Sequence, residues 1–339
     1  MRNQYDYRYI NGNYLVTYHT YRTLLIKEAL RTGEELISNF PDSIDLKITN
    51  KCSTGCPFCH ENSSPLGKTF DFERTISILE QLPALPIEIA IGGGNILDVA
   101  PEANQLIDWL ISRGHRVRAT VNYKDIQNLN EEQRVFLNKF EGLGISINSL
   151  DDELLSIVSS TPSPKWLMTD REGLPSHIRN LLKPKDTTYF SDQRIVLHVI
   201  SGIISLRDLS LLLDNGGLPI LLLGYKQWGR AKETQLPNSI KDLENWIKQF
   251  IFKSRYMLFS EDSFPCRAII SFDNLALEQL HIKDALLEEE WSKLYMGEEG
   301  QHSMYIDAVK EEYAQNSISP ERISWNEVGL LEFFKSLQK

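Results

Sequence analysis

The chain has 339 residues and a mass of 39.0 kDa, enough for one large α/β domain with appendages or for two domains. Its 42% apolar and 10% aromatic content is that of an ordinary globular protein and excludes wholesale disorder. With 36 Lys and Arg against 46 Asp and Glu the net charge is −10, so general nucleic-acid binding is not expected. No apolar run reaches the ~18 to 20 residues that cross a bilayer. Met1-Arg2-Asn3-Gln4-Tyr5-Asp6 also lacks the apolar stretch of a signal peptide. No membrane association and a cytoplasmic location are therefore expected.

In chain order, Tyr7–Ile10 and Tyr14–Tyr18 flank Asn11-Gly12 and read as a hairpin, since Asn-Gly tolerates the positive φ of a tight turn. Tyr21–Asn39 carries Leu24, Leu25, Glu28, Leu36 and Ile37 at roughly helical spacing, with Pro41 as its stop. From Ser43 onward strands and helices alternate. Strands are expected at Ile44–Thr49, Pro86–Ile91, Arg116–Asn122, Gly144–Asn148, Arg194–Ile200 and Leu218–Gly224. Helices are expected between them at Phe72–Leu82, Val99–Arg113, Glu131–Phe140, Asp151–Ser159 and Leu206–Asp214, with Thr161–Thr188 as a longer connection. Six β-then-α units predict an α/β fold with a parallel sheet and right-handed crossovers. Such sheets place their chemistry on the loops at the carboxyl ends of the strands. After about Thr234 the alternation dissolves into a helix at Ile240–Lys253, a strand-like Tyr256–Phe259, a hairpin at Met304–Tyr313 and a helix at Glu327–Gln338.

Cysteine placement is the most informative feature. Cys52, Cys56 and Cys59 lie within eight positions directly after the first strand of the alternating region, and Cys266 stands alone. A secreted disulfide scaffold would spread an even set through a short chain, whereas clustered thiols in a reducing compartment suggest a metal. The segment Cys52-Ser53-Thr54-Gly55-Cys56-Pro57-Phe58-Cys59 is a C-x3-C-x2-C with an aromatic before the last cysteine. Three thiolates from one loop can hold three irons of a cubane and leave the fourth iron open for chemistry. Two rivals compete. Zinc could recruit His60 as a fourth ligand, although adjacent Cys59 and His60 do not easily face one tetrahedral ion. Alternatively the thiols are buried small hydrophobes, against which their polar, glycine-containing surroundings argue.

This motif, in this position, resembles the signature of the radical S-adenosylmethionine (SAM) superfamily, and the likeness covers roughly Ser43 to Arg230. The resemblance implies a (βα)6 partial TIM barrel over residues 43–235. An N-terminal hairpin–helix extension (1–42) would precede it, and a C-terminal α+β extension (236–339) would complete or cap it. It implies a [4Fe-4S] cluster on Cys52, Cys56 and Cys59, with Phe58 shielding the cluster and packing near the adenine of SAM. It further implies reductive cleavage of SAM, hydrogen abstraction from an unidentified small or anionic substrate, and a low-potential electron donor such as a flavodoxin or ferredoxin.

Family members carry a Gly-Gly-Glu type motif after the second strand, whose backbone receives the amino group of SAM. Here Gly92-Gly93-Gly94-Asn95 departs from it, with Gly94 or Asn95 at the acidic position, and glycines without a Cβ would let SAM approach the main chain. Ser146 and Asn148 fall where the family contacts the ribose or carboxylate of SAM. Asn122, His198, Ser201, Tyr225 and Lys226 are candidate lining, and Lys226, Arg230 and Lys232 are candidates for holding an anionic substrate. Cys266 is either an inert buried thiol or a catalytic thiol near the substrate, and a second cluster is not expected because it needs several more cysteines. The alternative from another class is a non-catalytic iron–sulfur or zinc-binding interaction protein on the same fold.

Overall fold

The computed structural model describes residues 7–19, 24–127, 129–150, 195–215, 219–257 and 270–338. The expected Asp151–Ser159 helix, the Thr161–Thr188 connection and Cys266 lie outside the described residues. Two compact units are distinguished, one drawn from Met1–Thr120, Glu131–Leu143 and Gly297–Lys339, the other from Val121–Asn130 and Gly144–Met296. Among the described residues no helix is long and apolar enough to cross a membrane.

The chain starts with a three-stranded antiparallel sheet, β1 (Tyr7–Asn11), β2 (Tyr14–His19) and β3 (Leu24–Ala29), in that order. The expected hairpin is present, with Asn11 paired to Tyr14 and Gly12 at φ 64° in the turn. The expected Tyr21–Asn39 helix is not: β3 and extended chain stand in its place. The open edge of β2 claims this segment, pairing Tyr18 with Leu25 and Val16 with Lys27. Gly33 at φ 84° then breaks the run. Beyond it the Asn13 side chain takes over the backbone, donating to the Glu35 carbonyl and accepting from the Ile37 N–H, both at 2.8 Å. Ile37 is exposed, so the helical stripe read in the sequence was never an apolar face. Tertiary pairing has overridden local periodicity here.

Asn11 attaches this sheet to the segment that leads into β4. It is fully buried; its amide donates to the Phe40 carbonyl (2.9 Å) and to Asp42 (2.8 Å), and its carbonyl accepts from the Asn39 N–H at 2.8 Å. Asp42 also accepts from the Tyr14 hydroxyl at 2.6 Å and pairs with Lys27 at 2.7 Å.

The alternating region gives β4 (Ser43–Thr49), β5 (Glu88–Gly93), β6 (Arg116–Asn122), β7 (Gly142–Ser146), β8 (Ile195–Ile200), β9 (Ile220–Leu223) and β10 (Ile270–Phe272). Then come β11 (Ser303–Asp307), β12 (Glu312–Ala314) and β13 (Ile323–Ser324). All six strands read from the sequence exist within about two residues of their expected bounds, and β10 is an addition. In the first unit the order is β6-β5-β4-β11-β12-β13, with β4 parallel to both β5 and β11. The expected hairpin at Met304–Tyr313 is β11–β12, but its first strand joins the parallel sheet. As a central strand β4 buries Ile44, Leu46 and Ile48 completely. Flanking helices, Phe72–Leu79 and Ala100–Ser112, contribute Leu79, Leu106, Ile107 and Leu110 to the core. Asp71 caps the first of these by accepting from the Arg74 N–H at 3.0 Å.

In the second unit β8, β9 and β10 run parallel, and the Ile147 N–H donates to the His198 carbonyl, setting the end of β7 beside β8. Ile195, Leu197 and Val199 are buried while the alternate residues are half-buried. Helix Ile240–Met257 runs through Tyr256 and Met257, where a strand was expected. Trp246 and Phe250 stack at 5.5 Å one turn apart within it, a pairing that favours helix.

Candidate active site

Strand β4 ends at Thr49 and the chain leaves it for the cysteine loop. Backbone hydrogen bonds close the base of this loop. The Asn50 N–H donates to Lys68 (2.7 Å), the Ser64 N–H to Asn50 (3.0 Å) and the Cys52 N–H to Ser64 (2.9 Å). A Cβ at Gly67 would collide with the Asn50 carbonyl, so glycine is what lets the two limbs meet. Asp98, in the turn after the glycine segment, receives the Ser53 N–H at 2.6 Å and the Ser53 hydroxyl at 3.0 Å. Cys52, Cys56 and Cys59 are each half-buried and in no disulfide, so the reading of them as buried hydrophobes is set aside. Phe58 is half-buried beside them, and the Cys59 N–H donates to the Cys56 carbonyl at 3.2 Å.

The returning limb is held by charge. Glu61 pairs with Lys47 of β4 at 2.6 Å and accepts from the Tyr305 hydroxyl of β11 at 3.2 Å. His60 lies 3.5 Å from the same carboxylate. Burial alone would raise the Glu61 pKa, but His60 and Lys47 outweigh it and bring it down to about 2. Lys47 is itself buried and reaches Asp307 at 3.2 Å.

The glycine segment lies against the base of the cysteine loop. The Gly94 N–H donates to Thr49 (2.7 Å) and the Asn95 N–H to Lys51 (2.8 Å). Gly93 has φ 110°, and a Cβ there would collide with the Thr49 carbonyl and lie 2.9 Å from Cγ of Lys47. A Cβ at Gly94 would collide with the Lys51 carbonyl. The chain itself thus occupies the space that these two glycines provide. Around Gly92 nothing lies within 4 Å of an added Cβ, so Gly92 is the position open to a ligand. Asn95 is buried and accepts from the Leu97 N–H at 3.0 Å, capping the turn that presents Asp98.

The remaining candidates lie in the second unit. Ser146 and Asn148 are half-buried at and just beyond the end of β7. Among the described residues, Oδ1 of Asn148 and the hydroxyl of the fully buried Ser201 have no hydrogen-bond partner. His198 keeps some exposed surface as a residue, yet burial pushes its imidazole pKa down to about 4, so the ring is neutral at pH 7. Asn122 is spent on capping, accepting from the Lys124 N–H at 3.0 Å. Tyr225 is buried, its hydroxyl donates to the Ala231 carbonyl at 2.7 Å, and burial raises its pKa. Gln279 ties down both its main-chain N–H and carbonyl. Lys226 and Arg230 are half-buried and Lys232 is exposed.

No three His, Cys, Asp or Glu side chains among the described residues converge as a ready cage for a single ion, the thiols and His60 included. The donor set still fits an iron–sulfur cluster, because three thiols occupy one short loop whose two limbs are fixed at its base. The orphaned acceptor of Asn148 and the Ser201 hydroxyl fit a polar ligand such as SAM. Sequence reading missed Lys47, Glu61, Asp98 and Asp307. Lys47 reads as one more polar residue of an alternating strand, as Asp45 does, and Glu61 as one of several polar residues around the cysteines, so no sequence signal singled them out.

No protein-family model and no curated protein sequence matches the chain. Among solved structures it is similar to Streptococcus suis SuiB bound to S-adenosylmethionine, with TM-score 0.53 and 11% identity, over 89% of this chain and 69% of that one. It is similar to SuiB bound to precursor peptide SuiA, with TM-score 0.51 and 12% identity, over 88% of this chain and 65% of that one. A third is native anSMEcpe with bound AdoMet and Cp18Cys peptide, with TM-score 0.50 and 12% identity, over 88% and 83%. At such identities the likeness establishes fold: the chain has the mixed α/β, parallel-sheet fold of two proteins that were each solved with S-adenosylmethionine.

Proposed function

We propose that this chain is a radical SAM enzyme that reductively cleaves S-adenosylmethionine and abstracts a hydrogen from a substrate. The observation that carries the reading is the C-x3-C-x2-C loop at the carboxyl end of β4, in a fold shared with proteins solved with that cofactor. When bound, the cluster and SAM supply one-electron cleavage of a carbon–sulfur bond and hydrogen abstraction. The chain's own residues hold and shield. Cys52, Cys56 and Cys59 are the cluster ligands, Asp98 and Ser64 fix the entry limb of their loop, and Phe58 covers them from water. Gly92 leaves room for the amino end of SAM. The catalytic core is assigned to residues 43–235, with 1–42 and 236–339 as extensions.

A low-potential flavodoxin or ferredoxin supplies the electron. Lys226 suits a small anionic substrate. SuiB and anSMEcpe were solved with peptides, so peptides join such metabolites in any screen. Anaerobic reconstitution should give about four irons per chain, and reduction in the presence of SAM should yield 5′-deoxyadenosine. One tightly held zinc and little iron would sink the cluster. A full cluster without 5′-deoxyadenosine would leave a non-catalytic iron–sulfur interaction protein.

A further inference from the structure

Lys47 and Glu61 do something that the thiols cannot do for themselves. Lys47 sits in β4 two residues before its end, 4% exposed, between Glu61 at 2.6 Å and Asp307 at 3.2 Å. Asp307 is fixed in turn by the Val309 and Lys310 N–H groups at 3.1 and 3.0 Å. Tyr305, 4% exposed, adds its hydroxyl to Glu61. Two residues from two neighbouring strands, Lys47 and Tyr305, therefore grip one carboxylate, and that carboxylate lies two positions after Cys59. The entry limb is held mainly by main-chain hydrogen bonds, the exit limb by this buried cluster of charges. Burying a lysine is costly unless its partners are well placed, and replacing such a pair with apolar groups is often neutral for stability. A role in fixing one geometry accounts for it better than a role in stability.

Gly93 belongs to the same device. A side chain there would meet Cγ of Lys47 at 2.9 Å, so the glycine of the second strand end gives the lysine stem its channel.

We propose that Lys47 and Glu61 are positioning residues for the cysteine loop, clamping its exit limb so that the three thiols are held ready for the cluster. The inference rests on the cluster reading proposed for this loop, and the test separates the two. Glu61→Gln is the primary variant, because it keeps the side-chain shape and leaves Lys47 paired with Asp307. Lys47→Met alone would leave the carboxylates of Glu61 and Asp307 buried without a cation, so the combined variant Lys47→Met with Glu61→Gln and Asp307→Asn controls for misfolding. Far-UV circular dichroism and thermal unfolding of the cluster-free proteins report the fold, which should be that of the wild type. Iodoacetamide labelling of Cys56 and Cys59 in cluster-free protein, followed by mass spectrometry, should be several-fold faster in both variants. After reconstitution, iron should leave to a chelator about tenfold faster, the usual scale for loss of a residue that orients a metal ligand. The electron paramagnetic resonance spectrum of the reduced cluster should also broaden. Restoring the carboxylate on a shorter arm, with Glu61→Asp, should recover part of both rates.

Folded Glu61→Gln protein with labelling and iron loss both within about twofold of wild type would overturn the clamp while leaving the cluster intact. If wild type takes up no iron but labelling still accelerates in the variants, the clamp stands and the cluster reading falls.

Discussion

The imidazole of His198 occupies the space that a side chain at Gly144 would fill. A Cβ built on Gly144 would collide with Cε1 of the ring and lie 2.6 Å from Nε2 and 2.8 Å from Nδ1. Because β7 offers no side chain at this point, the ring is enclosed and its pKa falls to about 4. Gly144→Ala must displace it. The expected cost is about 1 to 3 kcal/mol from overpacking, read by urea unfolding. NMR titration of the imidazole should show its pKa moving up towards the ordinary histidine range. An unchanged low value would mean that the ring is held by something other than this fit.

The two glycines after β5 should respond in opposite ways. Gly93→Val places a branched side chain at φ 110° against the Thr49 carbonyl and the Lys47 stem, and should cost about 3 kcal/mol or more. Gly92→Ala meets nothing within 4 Å and should leave the fold and the iron content as they are. If SAM approaches the main chain here, Gly92→Ala weakens its binding without touching the cluster. Equilibrium dialysis of SAM against both reconstituted variants, with unfolding curves alongside, checks this. A fully stable Gly93→Val protein would refute the packing argument.

The cysteine loop and the glycine segment were legible in the sequence because their spacing is local, and each comes after a strand whose alternation marks it. Strands β4 to β9 were legible for that reason too. The partners of Glu61 and Lys47 were not: Tyr305 and Asp307 arrive from a strand more than two hundred residues away, and no periodicity announces which strand pairs with β4. Nor was the bond from the Tyr225 hydroxyl to the Ala231 carbonyl legible, because a tyrosine after a strand looks the same in sequence whatever its hydroxyl faces. The missing N-terminal helix misled because helical spacing in Tyr21–Asn39 was weaker than the demand of the open edge of β2.

Stability should fall on mild acidification. His115 is 5% exposed; its Nδ1 faces the Leu85 carbonyl at 2.9 Å and its Nε2 has no partner among the described residues. Burial, with the charge of Arg113, lowers its pKa to about 4, against the one favourable bond to Leu85. The unfolded chain takes a proton near pH 6.5 and the folded chain does not, so the unfolded state binds more protons between about 6.5 and 4. The contribution of His115 is complete above that window, is lost as pH falls through it, and changes no further below it. Between pH 7.5 and 5 the loss is about 1 to 2 kcal/mol. Urea unfolding at both values, for wild type and for His115→Gln, should show a smaller pH difference in the variant. Equal differences would remove His115 as the cause.

Cys56→Ala should abolish cluster binding and SAM cleavage together, since two thiols cannot replace three on one loop. Cys266→Ala should leave the iron content unchanged, because Cys266 has no cysteine nearby in sequence. Iron analysis and a 5′-deoxyadenosine assay measure both. About eight irons in wild type falling to about four in Cys266→Ala would reveal a second cluster.

The parallel pairing of Ser43 with Ser303 sets a timetable for biosynthesis. The two positions are 260 residues apart, and at about 5 to 20 residues per second the ribosome needs roughly 13 to 50 seconds to make the second after the first. During that interval β4 has an open edge, Lys47 lacks Asp307 and Glu61 lacks Tyr305, while the thiols of the loop have already emerged. Iron delivered in this window would meet an unclamped loop beside an unsatisfied strand edge. Productive loading therefore belongs after translation of the β11–β12 hairpin. A culture that supplies cluster-assembly capacity late and keeps oxygen out early suits this polypeptide better than one that maximises the rate of synthesis.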